Sequence, residues 1–442
     1  MLTRFCQWLL QYEWVLLILI LPLVLFPTPQ RAWVLLLIPL LWLVRKIATS
    51  HFVPITPLNW SLFGLLLMVL VSLYATFDMT HSFVKIAGLI YGIAVFFAAV
   101  TWVGDSYKRL WWGVTGLLAA GLGIAGLGLL AVRLRTKIPL LANMVALLPA
   151  RIESGLGGDK GINPNEISGV LLWMTPLALT LAIGGVLYVG RLRQRVRPSL
   201  ITPLLLLLVG TAVTLLSILI LTQSRSAYLG LVAAVLFTGA VLIAAHSWRW
   251  LLGGTAALLF ISLLAATQIE SQQLTAQIFL QVGIEEDGLS TLAGRLEIWS
   301  RALYGIQDFP FTGMGMNNFR RVVHILYPLF LISPDTDIAH AHNHLFQAAL
   351  DLGIPGLVAY LALWLGMAGM LWHTWRRSDD VFVRLLVLGF ASSLVAYFVY
   401  GLTDAVALGA RPGFIFWFLL GLITALHQTI WHEAKTGALR ET

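Results

Sequence analysis

Charge is scarce in this sequence: 28 Lys and Arg and 20 Asp and Glu among 442 residues, or 11%. A water-facing globular surface needs roughly a quarter of its residues charged, so a soluble domain is excluded. Cysteine is scarcer still. Cys6 stands alone, which rules out an intramolecular disulfide and leaves the redox compartment unreadable. Strict alternation of apolar and polar residues is also missing, and that excludes a transmembrane barrel. What remains is apolar: 59% hydrophobic residues and a mean hydropathy of +0.87, in repeated runs near membrane-spanning length. The fold class that follows is an all-α polytopic membrane protein, because in lipid only helices and closed barrels satisfy the backbone.

The hydropathy gives about twelve transmembrane helices, near 13–27, 31–45, 58–77, 82–103, 110–132, 165–189, 199–222, 226–246, 248–267, 343–372, 382–408 and 412–431. The stretch 138–150 is too short to cross and reads as interfacial or re-entrant. MLTRFCQWLLQYEWVLLILILPLVLFPTPQ has a charge and an apolar run like a signal peptide, but no small-residue cleavage site follows; it reads as a retained first helix. Nine spans thus occupy 1–267, an extracytoplasmic loop 268–342, three spans 343–431 and a tail 432–442. The net charge of +8 sits mainly in short loops and reflects topology and anionic lipid rather than nucleic acid. With the N-terminus cytoplasmic, the inner loops receive Arg45 and Lys46, Lys108 and Arg109, the arginines of 191–197, Arg249, and Arg376 and Arg377. Both termini then face the cytoplasm.

Two outward loops break this pattern. Residues 133–164 hold Arg133, Arg135, Lys137, Arg151 and Lys160, which suit either phospholipid headgroups or an anionic ligand at the outer leaflet. The 268–342 loop contains EED followed by two amphipathic stretches, expected to lie on the membrane as short helices. In LAGRLEIWSRALYGI the apolar stripe is Leu292, Leu296, Trp299 and Leu303; in FRRVVHILY it is Phe319, Val322, Val323 and Leu326.

Ionisable groups in or beside spans are costly. Lys85, Glu166, Arg225, Asp351, Asp404 and Arg411 all project towards the outer face, whereas Arg384 reads as an ordinary inner anchor. Singly, each is a helix-end anchor. Jointly they predict a polar cavity opening outward. A small-solute transporter of the bicarbonate type would need polar groups at both depths, and the inner halves are nearly all apolar.

Arg225 stands between two long apolar runs, flanked by Ser224 and Ser226, and its guanidinium offers a fork of donors suited to phosphate oxygens or to headgroups. GRLEIWSR adds Arg295 and Arg301, with the same ambiguity. In DFPFTGMGMNNF no strand precedes the G-x-G, so Gly313 and Gly315 read as a tight turn rather than a dinucleotide site. HAHNHLF crowds His340, His342 and His344 before a span. His340 and His344 at i,i+4 could share a helix face, but no cysteine or well-placed glutamate completes a metal set. A capping cluster and general-base chemistry both remain open.

His342-Asn343, nine residues, Gly353, two residues, Gly356 resembles the H-N-x9-G-x-x-G signature of bacterial O-antigen ligases, and Arg225-Ser-Ala-Tyr-Leu229 resembles the R-x3-L motif of the same superfamily. The order of the arginine turn, the long loop and the histidine motif also fits, over roughly residues 160–420. The resemblance implies a metal-independent, inverting membrane glycosyltransferase with a GT-C-like fold and no cofactor. It would move a glycan from undecaprenyl diphosphate to an acceptor hydroxyl at the outer face of the bacterial cytoplasmic (inner) membrane, in lipopolysaccharide or related polysaccharide biosynthesis. His342 and Arg225 would be catalytic. Arg295, Arg151, Arg135, Arg133, Asn343, Lys85 and Asp404 would bind substrate. The partners implied are the lipid-linked donor, a lipid- or glycan-linked acceptor and membrane phospholipid, with no nucleic acid. A polysaccharide polymerase of the same superfamily shares this plan.

Overall fold

The computed structural model describes residues 1–131, 162–246, 292–406 and 408–438. Regular structure in these residues is helical. In chain order the helices are α1 (Leu2–Leu10), α2 (Glu13–Leu25), a 3-10 segment (Pro29–Leu36) running into α3 (Leu37–Thr49), α4 (Asn59–Ser72), α5 (Met79–Val103) and α6 (Tyr107–Ala131). Then come α7 (Pro164–Leu171), α8 (Thr175–Leu187), α9 (Val189–Leu192), α10 (Pro198–Leu221) and α11 (Arg225–His246). The last group is α12 (Leu292–Asp308), α13 (Phe319–Leu326), α14 (His344–Arg377), α15 (Val381–Gly401) and α16 (Gly413–Ala438).

Among the described residues, 8 helices are long and apolar enough to cross a membrane, or up to 10 if the bent pairs α1–α2 and α7–α8 each count as one span. The chain is therefore a polytopic helical membrane protein. The span expected at 248–267 lies outside the described residues, as do most of the 133–164 loop and the start of the 268–342 loop. The count of twelve consequently has no complete counterpart here.

Close packing of α5 against α16 makes the centre of the bundle. Glycines permit that approach: a Cβ on Gly92 would stand 2.0 Å from the Trp417 ring, and one on Gly421 would stand 2.5 Å from Ala99 Cβ. Small residues at helix contacts are the usual means of association in lipid, where burial of apolar surface supplies little. Around this pair α4 packs on α14, and α8 and α11 pack on α15.

α14 explains the glycines of the histidine motif. Asn343 caps its N-terminus, its side chain accepting from the backbone N–H of Leu345 (2.9 Å) and Phe346 (3.1 Å). Nine residues in, the helix breaks at Gly353, whose φ of 71° and ψ of 177° are open only to glycine. The break frees backbone groups that the turn at 310–315 satisfies. Met314 N donates to Leu350 O at 2.7 Å, and Ile354 N donates to Pro310 O at 2.7 Å. Gly313 and Gly315, at φ 65° and 87°, shape this turn as the sequence suggests.

Both amphipathic stretches are helical. α13 buries Phe319, Val322 and Val323 and exposes Leu326. In α12, Leu296 and Leu303 of the expected stripe are exposed, while Ile298 and Ala302 are fully buried against the protein. Exposed apolar side chains on this face carry no hydrophobic penalty where they meet lipid.

Candidate active site

The loop before α14, the start of α12, the turn into α11 and the segment after α15 converge on one buried acid. Asp404 (2% exposed) lies just beyond α15. Its Oδ1 is 3.3 Å from His342 Nδ1 and 3.7 Å from His340 Nε2, and its Oδ2 is 3.9 Å from an Arg295 nitrogen. Arg295 also donates to Ser226 Oγ at 3.4 Å. Ser226 follows Arg225 at the first turn of α11, so one chain of contacts joins the arginine motif to the histidine motif. The Arg225 side chain itself is exposed.

His342 holds a positive φ of 48°, unusual for a residue with a Cβ. Its backbone N–H donates to His340 Nδ1 at 3.2 Å, and the two imidazoles stack edge to face with centroids 4.4 Å apart. The strained backbone aims its ring at Asp404 instead of along α14. Behind it, Ala341 N donates to Gln347 Oε1 (2.8 Å), Gln347 Nε2 donates to Asp351 Oδ1 (2.8 Å), and Asn317 N donates to the same oxygen (2.9 Å). A buried network thus ties the histidine loop to α14 and to the glycine turn.

The electrostatics follow from burial in the presence of opposite charge. Burial alone would raise the Asp404 carboxyl, but contact with His342 and the charges of His342, His340 and Arg295 hold it well below the usual carboxylate range. Burial pushes the His340 imidazole down to about 3, with His342 adding to the effect and Asp404 opposing it. His340 is accordingly neutral at physiological pH. The arrangement is one anion, one neutral imidazole, one guanidinium, and the His342 imidazole in contact with the anion.

Three polar atoms in this cluster are buried with no hydrogen bond: Arg295 Nε, His342 Nδ1 and Asp404 Oδ2. At 3.3 Å the His342–Asp404 pair touches without the alignment of a hydrogen bond. Unsatisfied buried polar atoms are expensive and rare, and their meeting in one place marks a spot built for a ligand or water. His340, His342 and Asp404 also present ligand atoms within 4.8 Å of one another, close enough for a divalent cation. The Arg295 guanidinium sets an opposing charge against that use.

Of the other expected residues, Lys85 is buried on α5 within electrostatic reach of Asp351 and Glu166, and Glu166 is in turn within reach of Arg411 and Asp404. Five of the six groups foreseen as lining one cavity, Lys85, Glu166, Asp351, Asp404 and Arg411, are thus linked pairwise, Arg225 not among them. Asn343 is committed to the fold: besides capping α14, its amide donates to Leu402 O at 3.1 Å. Arg133, Arg135 and Arg151 lie outside the described residues. The i,i+4 pairing of His340 with His344 is corrected. Helix α14 begins only at His344, whose ring turns into the bundle, bonded to the Tyr360 hydroxyl (2.9 Å) and packed on Phe398 and Trp364. Sequence reasoning missed Ser226, Asn317 and the Gln347–Asp351 link, although the last is an i,i+4 pair in plain view.

Comparison with known proteins bears on the family. Residues 210–361, from α10 through the break in α14, match the family model described as O-antigen ligase. An O-antigen ligase of Pseudomonas aeruginosa is 30% identical over 254 residues, covering 55% of this chain and 58% of the relative. The chain thus spans less than two thirds of that relative's length. Both matches support the O-antigen ligase superfamily.

Proposed function

We propose that this protein transfers a glycan from a polyprenyl-diphosphate carrier, undecaprenyl diphosphate in bacteria, to an acceptor hydroxyl at the outer face of the cytoplasmic membrane. His342 takes the acceptor proton as the oxygen attacks the anomeric carbon. The bond from that carbon to the diphosphate oxygen breaks on the opposite face, inverting the centre, and the electron pair leaves with the diphosphate. Asp404 orients the His342 imidazole and stabilises it once protonated. Arg295 and Arg225 offset the growing charge on the diphosphate, which is already a good leaving group and needs no acid. Fixed guanidiniums serve there without a metal ion.

The observation that carries this reading is the convergence of unmatched atoms on His342, Asp404 and Arg295. A base, its orienting acid and a phosphate-binding fork share one spot, each with an unused polar atom. His342→Ala in purified proteoliposomes, given a lipid-linked glycan donor and an acceptor, should keep its fold and lose transfer by ~10²–10⁴-fold. Full transfer by that variant would remove His342 as the base. Loss of wild-type transfer on chelation, restored by a divalent cation, would reassign His340, His342 and Asp404 as metal ligands.

A further inference from the structure

We infer that α1 is an interfacial helix, seated through an aromatic face of Phe5, Trp8 and Tyr12 on the headgroup–acyl boundary of the leaflet opposite the candidate active site. At about 3.6 residues per turn, the segment from Thr3 to Tyr12 divides into three sectors. Thr3, Arg4, Gln7 and Gln11 form a polar sector, all of it exposed. Cys6, Leu9 and Leu10 form an aliphatic sector, with Cys6 buried and both leucines half-buried where α1 packs on α3. Phe5, Trp8 and Tyr12 form the third. Their rings meet in succession, with centroids 5.9 and 5.1 Å apart, and all three are exposed.

The contacts around Glu13 place this helix at one membrane surface. α1 leaves the axis of α2 by 57°, and the bend falls just before Glu13. The Glu13 carboxylate accepts from Arg45 near the end of α3, and Arg45 also donates to Thr101 Oγ1 (3.0 Å) near the end of α5. The other end of α5 meets the glycine turn beside the candidate site, where Ser82 donates to Met316 O at 2.7 Å. From Ser82 to Thr101 is about 28 Å of helix, close to the thickness of a bilayer's hydrocarbon core. α1 therefore stands at the far surface, the cytoplasmic one if transfer takes place outside.

Continuity with the lipid-facing surface argues for this occupant. Tyr12 is followed by Val15, Ile18 and Leu19 of α2, all exposed on a helix of spanning composition. Tyr and Trp rings, apolar with one polar edge, settle between headgroups and chains. Arg4 flanks Trp8 on the polar side, where a long cationic side chain reaches phosphates. Were α1 a straight continuation of α2, its polar sector would enter hydrocarbon or its aromatic face would stand in water. The bend avoids both.

Cys6 is the one cysteine of the chain, so a Cys6→Ala background admits single spin labels. In the full chain in phosphatidylcholine nanodiscs, nitroxides on Arg4→Cys, Phe5→Cys, Gln7→Cys, Trp8→Cys, Gln11→Cys and Tyr12→Cys report collision with oxygen, which favours lipid, and with a water-soluble nickel chelate. Labels at 5, 8 and 12 should favour oxygen severalfold over those at 4, 7 and 11, and should lie within roughly 10 Å of the phosphates. A depth that runs steadily inward through all six, with no alternation, would make α1 part of a span and overturn the assignment. Nickel access at 5, 8 and 12 would leave the rings in water. Shielding there from both reagents would put a protein surface over them, such as a second copy. Either result overturns it. Should a cysteine variant not fold, photolabelling of the wild type decides. A phosphatidylcholine with a diazirine next to its headgroup should label the peptide 5–12 severalfold more than one with the diazirine at its chain end. Equal labelling, or none, would sink the assignment.

Discussion

His342 Nδ1 stands 3.3 Å from Asp404 Oδ1, the first from the loop that opens α14 and the second from just beyond the end of α15. The contact matters because Asp404 is buried and ionised, so it can hold the His342 imidazole in place. His340 touches the same oxygen yet stays neutral, because burial outweighs the attraction of the acid. Two imidazoles beside one carboxylate therefore divide their roles: His340 stays neutral, and His342 makes the closer contact with the acid.

Asp404→Asn keeps the shape of this contact and removes its charge. Removing one preorganised charge beside the base typically costs ~10²–10³-fold, so transfer should fall by about that much. The loss should appear in the turnover number more than in donor affinity. An Asp404→Asn variant with unchanged turnover would leave the acid a purely structural residue.

Arg295 faces Asp404 and Ser226 and keeps Nε unmatched, which suits it to a diphosphate oxygen. Removing one preorganised charge stabiliser typically costs ~10²–10³-fold in turnover. Arg295→Gln should show that loss. Arg295→Lys should show a smaller one, since it keeps the charge but not the fork. Arg225→Ala should act in the same direction, and transfer assays across donor concentrations would separate its effect on turnover from its effect on binding.

The sequence carries the spans clearly because apolar runs are local and the bilayer imposes their length. It carries the cluster only in part. His342, Arg225, Arg295 and Asp404 are visible as chemistry-bearing residues, and the resemblance implies a role for each. The partnership of His340 and His342 with Asp404 was not legible, because it depends on a positive φ at His342 and on two spans folding back beside each other. The i,i+4 reading of His340 and His344 assumed a helix through both, and Asn343 ends that helix between them. The α12 stripe marks an apolar face, but amphipathicity alone does not say whether that face meets the protein or the membrane; Leu296 and Leu303 are exposed.

Acid should loosen the site before it reaches ordinary carboxylate titration. The unfolded chain binds a proton at His340 near pH 6.5, whereas the folded chain resists until about 3. Stability is thus unaffected above that upper value and declines as pH falls through the window. Asp404 has the opposite form, its contribution being intact above 3.8 and lost only well below. Between about pH 6.5 and 4 the His340 effect acts alone of the two. Thermal unfolding in detergent should show a midpoint that drops over this range, and His340→Gln should flatten the drop. An unchanged slope in that variant would place the acid sensitivity elsewhere.

Gly353 offers the sharpest test of how the fold supports the site. Its φ of 71° with ψ of 177° is a conformation that side chains disfavour by ~1–3 kcal/mol. A Cβ there would also stand 2.4 Å from Phe311 O, the backbone of the turn that docks on the break. Gly353→Ala should therefore push the turn off α14, releasing the bonds at Leu350 O and Ile354 N and disturbing the Asn317–Asp351–Gln347 path to the histidine loop. Gly369→Ala is the matched control on the same helix. Its Cβ would meet nothing within 4 Å, and alanine in a helix interior gains up to ~1 kcal/mol over glycine. The first variant should unfold at a clearly lower temperature than the wild type and lose transfer, and the second should match or exceed it in both. Equal midpoints for the two would mean that the break in α14 tolerates a side chain, and that the glycine of the motif serves something other than this close approach.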